Sequence, residues 1–248
     1  MKPFLFVTDL DNTLVGDDPA LKTLNQHLAK HRQEYGTKIV YATGRSLYLY
    51  RLLAKAKLLL SPDALITSVG TEMYFDSNKE VCDPEWEKIL SQGWNREEIV
   101  SIASKFEDLQ FQPDSEQNPF KISYYLAQSV SEKVINKLRT ALYDRGYQVK
   151  LIYSGGQDLD LLPPNGDKGL AVQFLRDRWN IAACDTVTCG DSGNDVALFI
   201  GEEKGIIVGN AKPELSQWYR ENKHESLYFA KAACAGGILE GLKYFNFV

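Results

Sequence analysis

Short apolar runs alternate with amphipathic stretches through the first third of the chain. Phe4-Leu5-Phe6-Val7 is an unbroken apolar run that stops at Asp9-Leu10-Asp11, the pattern of a buried strand. Asp18-Pro19 then opens a helix, with Leu21, Leu24, Leu28 and Ala29 at helical spacing and proline where the first turn tolerates it. Ile39-Val40-Tyr41-Ala42 is a second strand closed by Thr43-Gly44-Arg45; Leu47 to Leu58 continues as helix, and Ala64-Leu65-Ile66-Thr67 is a third strand. Repeated strand–helix–strand units predict a parallel sheet with helices on both faces, and such sheets hold ligands beyond the carboxyl ends of their strands. Asp9 and Thr43 both fall there.

The pattern changes between about Asp76 and Leu162. Asn95 with Glu98 makes a capping-box start, and Ile99, Ile102, Ala103 and Phe106 share one helical face. Lys121 to Leu126 reads as a strand, Ser131 to Asp144 as a helix, and Gln148 to Tyr153 and Asp158 to Leu162 as two further strands. From Asp167 the alternation resumes with a helix over Leu170 to Arg178 and strands at Thr186 to Cys189 and Gly205 to Val208. The fold expected is α/β: a doubly wound, Rossmann-like parallel-sheet core over 1–75 and 163–248, with an inserted α+β domain over 76–162. Trp86 and Trp94 fit the core of the insert or a flat surface for a ligand, and Gly155-Gly156, near the return crossing, is a hinge candidate. His27 and His31, one helical turn apart with no third ligand nearby, fit a solvated helix face better than a metal site.

Composition narrows the partners. The 248 residues are 44% hydrophobic and 25% charged with a net charge of −5, an ordinary globular balance without a block of Lys or Arg. Nucleic acid is therefore not expected as a partner, since phosphate-backbone binding needs a basic footprint. No run approaches a membrane span and Phe4 to Val7 is too short for a signal-peptide core, so no membrane association and a cytoplasmic location are expected. Cys82, Cys184, Cys189 and Cys234 show no C-x-x-C spacing, which argues against a zinc site or disulfide framework. An acidic protein that handles an anion must build a local positive field from placed cations, a helix N-terminus or a metal.

Four short motifs supply those parts. Asp9-Leu10-Asp11-Asn12-Thr13 sets two carboxylates two positions apart at a strand end, so that one can attack while the other handles protons; like charges this close should push one pKa upward. A solvated Asp-Asn turn has the same local pattern. Gly190-Asp191-Ser192-Gly193-Asn194-Asp195 packs two more carboxylates into a glycine-punctuated turn, the oxygen ligands that a hard cation such as Mg²⁺ prefers, and it lacks the spacing of a calcium loop. Thr43-Gly44-Arg45 offers a hydroxyl, a backbone amide and a guanidinium to a phosphate, although an ordinary strand-to-helix cap looks similar. Lys168 opens a helix after Pro163-Pro164-Asn165-Gly166-Asp167, where ammonium and helix dipole could act on the same anion; alone it reads better as a surface lysine.

Taken in order, this set resembles the haloacid dehalogenase superfamily of phosphatases. The resemblance implies that Asp9 is the nucleophile and Asp11 the general acid and base, with Asp9, Asp191 and the Asp11 carbonyl as ligands of Mg²⁺. Asp195 and Asn194 would support the metal and its waters, and Asn194 would join Thr43, Gly44 and Lys168 around the phosphate. The insert is similar to caps that choose substrates. Its stretch Glu116-Gln117-Asn118-Pro119-Phe120-Lys121-Ile122-Ser123-Tyr124, with Val69-Gly70-Thr71-Glu72 before and Asp160-Leu161-Leu162-Pro163 after, resembles the sucrose-phosphate phosphatases. That closer likeness implies hydrolysis of sucrose 6-phosphate, a small-molecule sugar phosphate as partner, and a sucrose-phosphate synthase as a protein partner. Arg45, Gln117, Asn118, Lys121, Ser123 and Tyr124 are the expected sugar contacts, rich in donors and acceptors. Three rivals remain at this level: a phosphatase for trehalose 6-phosphate, mannosyl-phosphoglycerate or a hexose phosphate; a non-catalytic sugar-phosphate-binding module; and a receiver domain phosphorylated on aspartate, whose single small domain leaves the insert unexplained.

Overall fold

The computed structural model describes residues 2–248. The chain runs β1 (Leu5–Thr8), α1 (Asp18–Tyr35), β2 (Lys38–Ala42), α2 (Leu47–Ala56), β3 (Ala64–Thr67), β4 (Glu72–Tyr74), α3 (Pro84–Leu90), α4 (Arg96–Ala103), β5 (Gln110–Phe111) and β6 (Ile122–Tyr125). It continues through α5 (Ser131–Tyr143), β7 (Lys150–Ser154), β8 (Asp158–Leu162), α6 (Lys168–Trp179), β9 (Thr186–Gly190), β10 (Lys204–Ile207), α7 (Pro213–Glu221), β11 (Leu227–Phe229) and α8 (Cys234–Tyr244). Seven strands form one sheet in the order β11-β10-β9-β1-β2-β3-β4, parallel except where β4 runs against β3. The expected doubly wound α/β core is present.

Helices cover both faces of this sheet, which is why its strands lack polar alternation. Phe6, Ile39 and Tyr41 point to one side and pack with Leu21, Leu24, Leu28, Tyr50 and Ile238 of α1, α2 and α8. Leu5, Val7 and Val40 point to the other and pack with Trp86, Leu90, Val172, Leu175 and Leu215 of α3, α6 and α7. Each such side chain, fully buried, contributes on the order of 1.5–3 kcal/mol. Trp86 is thus neither cap core nor ligand platform: α3 belongs with the parallel sheet, although it lies beyond the boundary expected near residue 76.

The second sheet is antiparallel in the order β5-β6-β8-β7. Ile122, Tyr124, Leu159 and Leu161 face α4 and α5, where Ile99, Ile102, Val134, Leu138 and Leu142 complete an apolar cluster. Trp94 packs against this cluster and donates its indole N–H to the Pro119 carbonyl at 2.8 Å, so of the two tryptophans it alone serves the insert. Among the described residues the insert meets the first sheet's surroundings at three polar contacts: Asn118 to Thr71 (2.9 Å), Lys150 to Asp167, and the Gly155 N–H to Glu214 (3.3 Å). Gly155 and Gly156 form the turn between β7 and β8 with φ of 63° and 75°, not the return crossing.

The sequence pattern missed β4, β5, α3, α7, β11 and α8. Three of these are strands of two or three residues, too short for periodicity. Helix α8 carries Gly236, Gly237 and Gly241, poor helix formers, yet a Cβ on Gly241 would come within 2.6 Å of Ile206, so the glycine is set by close helix–sheet packing. His27 is exposed, whereas His31 is buried against Phe4 and Tyr35 with Nδ1 2.7 Å from Thr37 Oγ1, which corrects the expected solvated face. No helix among the described residues is long and apolar enough to cross a membrane.

Candidate active site

Strand β1 lies between β9 and β2 in register, Thr8 opposite both Cys189 and Tyr41. One residue further along β1 and two residues further along its neighbours, the three chains deliver Asp9, Thr43 and Asp191 to the same end of the sheet. Asp9 stays attached by its N–H to the Cys189 carbonyl at 3.0 Å. Lys168 arrives from below this edge at the start of α6, whose N-cap Asp167 accepts the Leu170 N–H at 2.7 Å. Gly70, at φ 100°, lets the preceding loop touch this helix start: a Cβ there would lie 2.2 Å from the Asp167 carbonyl carbon. That loop holds Ser68 and Val69 at φ 51° and 60°, and a β-branched residue in the left-handed region stores strain. The Val69 N–H donates to the Thr43 carbonyl at 3.1 Å, so the strained segment braces the Thr43-Gly44 loop and Lys168 together.

Lys168 is fully buried and donates to Asp9 Oδ1 (2.8 Å), Asn194 Oδ1 (3.0 Å) and Asp195 Oδ1 (2.6 Å). Burial opposes its charge, yet Asp195 and Asp9 together hold its pKa above the ordinary lysine value. Asp195 Oδ2 accepts the backbone N–H groups of Asp191 (3.0 Å) and Ser192 (3.1 Å), so both its oxygens are committed. Asp191 Oδ1 accepts the Thr13 hydroxyl at 3.1 Å. Burial, then the charge of Asp195, pushes Asp191 up to about 6.

Asp9 is also driven upward, first by burial, with Lys168 opposing and Asp195 and Asp191 adding to the rise. The expected partner in that shift was Asp11. Its carboxylate instead turns to Arg45, which grips it with Nε and Nη2 at 2.6 and 2.7 Å. Two residues on one extended turn need not face each other, and Asn12, at φ 58°, bends the chain between strand and turn.

A cleft of about 360 Å³ opens over these groups, lined by residues that include Asp9, Asp11, Gly44, Arg45, Asp191 and Asn194. Of the six expected sugar contacts, Arg45 lines it. The other five do not in this conformation. Gln117 pins its own loop, donating to the Gln112 and Ser123 carbonyls and accepting the Ser123 N–H. Asn118 reaches Thr71, and Lys121 and Ser123 are buried on Asp160, with the Ser123 hydroxyl 2.6 Å from its Oδ1. Tyr124 corrects the expectation most plainly: period-two alternation sends it into the apolar cluster of the insert, where its hydroxyl has no partner among the described residues and burial raises it to about 12. Glu116, one position before the chosen stretch of candidates, takes the place at the cleft; Ser192, Asn12 and Lys212 also line it. Lys212 follows the end of β10, and the strand-end rule that found Asp9 would have found it too.

Asp9, Asp191 and Asp195 each offer a carboxylate oxygen within 4.8 Å of one another. Against these three charges stands the buried ammonium of Lys168, which leaves two negative charges uncompensated and suits a divalent cation. Because Asp195 is fully hydrogen-bonded, Asp9 and Asp191 are the carboxylates with an oxygen free of hydrogen bonds among the described residues. The chemistry within reach is an in-line attack by Asp9 on a phosphoryl group held over Thr43, Gly44 and Lys168.

The chain matches the family model of sucrose-6F-phosphate phosphohydrolase over residues 2–246. It is 39% identical to probable sucrose-phosphatase 2 of Arabidopsis thaliana over 98% of this chain and 59% of that protein. Sucrose-phosphatase 1 of Nicotiana tabacum is 38% identical over the same shares, so the chain spans 59% of the length of these plant relatives. The X-ray structure of the sucrose-phosphatase from Synechocystis sp. PCC6803, in complex with sucrose and phosphate, superposes with a TM-score of 0.93 at 41% identity and covers 99% of both chains. Motif order, strand-end geometry and these likenesses converge: the chain belongs to the sucrose-6F-phosphate phosphohydrolase family, within the haloacid dehalogenase superfamily.

Proposed function

We propose that the chain is a Mg²⁺-dependent phosphatase that hydrolyses sucrose 6-phosphate to sucrose and phosphate by way of phosphorylated Asp9. The observation that carries this reading is the hold on Asp9: Lys168 fixes Oδ1 at 2.8 Å while the other carboxylate oxygen stays free beside the cleft. In the first step that oxygen attacks phosphorus, the bond from phosphorus to the sugar oxygen breaks, and Asp11 gives a proton to the leaving sugar. In the second, Asp11 takes a proton from water, the water oxygen attacks phosphorus, and the Asp9–phosphorus bond breaks. A protonated Asp11 accepts the two Arg45 hydrogen bonds less well than the carboxylate does, so the acid step weakens the Arg45 grip, and a sugar hydroxyl is a suitable new acceptor for the guanidinium.

Thr43, Gly44, Lys168 and Asn194 hold the phosphate oxygens. When bound by Asp9, Asp191 and the Asp11 carbonyl, with Asp195 in support, Mg²⁺ offsets charge on the transferring phosphoryl group. Glu116 and Arg45 supply acceptor and donor to the disaccharide, and Gln117, Asn118, Lys121 and Ser123 shape the loop that carries Glu116. Packing supports a core that takes in α3, with the cap between it and β8. A cytoplasmic location and a synthase that supplies the substrate complete the reading; the free thiols and the match to sucrose-phosphatases support them.

The test is phosphate release with Mg²⁺ from sucrose 6-phosphate, trehalose 6-phosphate and mannosyl-phosphoglycerate. Preference for the sucrose ester is expected. Preference for another ester would overturn the substrate and leave the core mechanism, and no turnover on any ester would overturn the phosphatase reading.

A further inference from the structure

Three cationic side chains stand at the catalytic cleft, and two of them are spoken for. Lys168 is locked between Asp9 and Asp195, and Arg45 is gripped by Asp11. Lys212 lines the cleft and has no ion pair within 4 Å among the described residues. Its backbone is fixed: the N–H donates to the Asp191 carbonyl at 2.7 Å, and Pro213 begins α7 directly after it. The side chain is half-buried beneath the cap's Gly155-Gly156 turn, where a Cβ on Gly155 would lie 3.5 Å from Nζ. Its charge acts on Asp191 in the core and on Asp158 in the cap, in both cases against the effect of burial.

The charge balance gives this position a purpose. Asp9, Asp11, Glu116 and Asp191 line the cleft and Asp195 lies buried beneath it, five carboxylates against two paired cations. A divalent metal ion would still leave an excess negative charge before a phosphate dianion arrived. A further cation at the mouth would offset that excess, and Lys212 is the cleft cation with no ion pair among the described residues.

We propose that Lys212 is a substrate-recognising residue, whose unpaired ammonium receives the phosphate dianion at the mouth of the cleft and sets the affinity for the phosphoryl end of the substrate. This rests on the phosphatase reading above. Lys212 acts through charge at the cleft mouth, so its effect falls mainly on capture and binding and is sensitive to ionic strength.

The experiment titrates inorganic phosphate calorimetrically into the full chain with saturating Mg²⁺, for wild type, Lys212→Gln, Lys212→Arg and Lys223→Ala, an exposed lysine elsewhere on the surface. Lys212→Gln is expected to weaken phosphate binding about tenfold at low salt, the effect of a lost charged hydrogen bond, and to flatten its salt dependence. Lys212→Arg should stay within about twofold, since it keeps the charge, and Lys223→Ala should match wild type. For sucrose 6-phosphate, KM should rise in parallel while kcat falls less than about threefold. Should Lys212→Gln fail to fold, Lys212→Met carries the same comparison. Equal phosphate affinity in wild type and Lys212→Gln, or an equal loss in Lys223→Ala, overturns the proposal. If wild type binds phosphate yet turns over no sugar phosphate, the phosphatase reading fails while the titration still decides the role of Lys212.

Discussion

Two buried lysines, one in each part of the molecule, look alike at first: Lys168 is fully buried and Lys121 4% exposed, and each is paired with aspartate. The difference lies in what is left over. Lys121 meets one carboxylate, Asp160, and the Ser123 hydroxyl shares that same oxygen, so the cluster is neutral and closed. Lys168 meets Asp9 and Asp195 with Asp191 close behind, so its cluster is two charges short of neutral and has unused oxygens aimed at a cleft. A closed pair holds a structure together; an unbalanced one waits for ligands. Buried charge therefore marks a functional site only when its compensation is incomplete.

The strongest way to break the open cluster is to remove its free oxygen chemistry. Asp9→Asn should lose about 10³-fold or more in kcat, because the amide is no anionic nucleophile, while the fold survives. Retention of more than about a tenth of wild-type turnover would take Asp9 out of that role. Next in size is Asp191→Ala, which should abolish tight Mg²⁺ binding and cost about 10²-fold or more in turnover, as chelator should for wild type. Full activity in excess chelator would contradict the charge argument at its base.

These two regions were also unequally legible. In the core, buried strands end abruptly in polar residues, and parallel pairing puts every such end at one edge; Asp9, Thr43 and Asp191 follow from short-range pattern plus one topological rule. Lys168 needed the family likeness, because a lysine at a helix start looks like any surface lysine until the fold buries it. In the cap the readable signal was composition, many donors and acceptors in one loop, and composition carries no direction. Alternation along β6 would have turned Tyr124 inward with Ile122, but nothing in the sequence said that Lys121 and Ser123 would spend their polar groups on Asp160, 39 and 37 residues away. The Arg45–Asp11 grip was unreadable for the same reason: its partners are 34 residues apart.

The closed pair gives the third prediction. Lys121→Met leaves Asp160 buried and unpaired and should destabilise the chain by about 3–5 kcal/mol, measured by urea unfolding, whereas Lys121→Met with Asp160→Leu should recover most of it. Folded Lys121→Met should handle a small aryl phosphate normally and show a raised KM for sucrose 6-phosphate, because the cluster supports the Glu116 loop through the Ser123 hydroxyl, 3.0 Å from the Glu116 carbonyl. No loss of stability, with equal losses on both substrates, would reverse the assignment and make Lys121 a working residue.

The smallest expected effect separates the clusters by pH. Burial, followed by the Asp195 charge, lifts Asp191 from its ordinary 3.8 to about 6. The sign follows from which state holds the proton. An acid whose folded pKa is raised keeps its proton in the folded chain where the unfolded chain has lost it, so the metal-free protein gains stability as pH falls through about 6 towards 4 and carries the cost of the bare charge above that range. A metal ion needs the carboxylate, so below about 6 each bound Mg²⁺ must displace a proton and affinity should fall about tenfold per pH unit. Asp9 is shifted in the same direction by burial and by its carboxylate neighbours, which steepens the fall and extends it upward in pH. Calorimetric Mg²⁺ titrations from pH 8 to 5 in two buffers of different ionisation enthalpy would count those protons directly. Proton release that grows as the pH drops is the expected outcome; Mg²⁺ affinity constant across the range would mean that these carboxylates are already compensated, and the contrast between the open and the closed cluster would lose its physical basis.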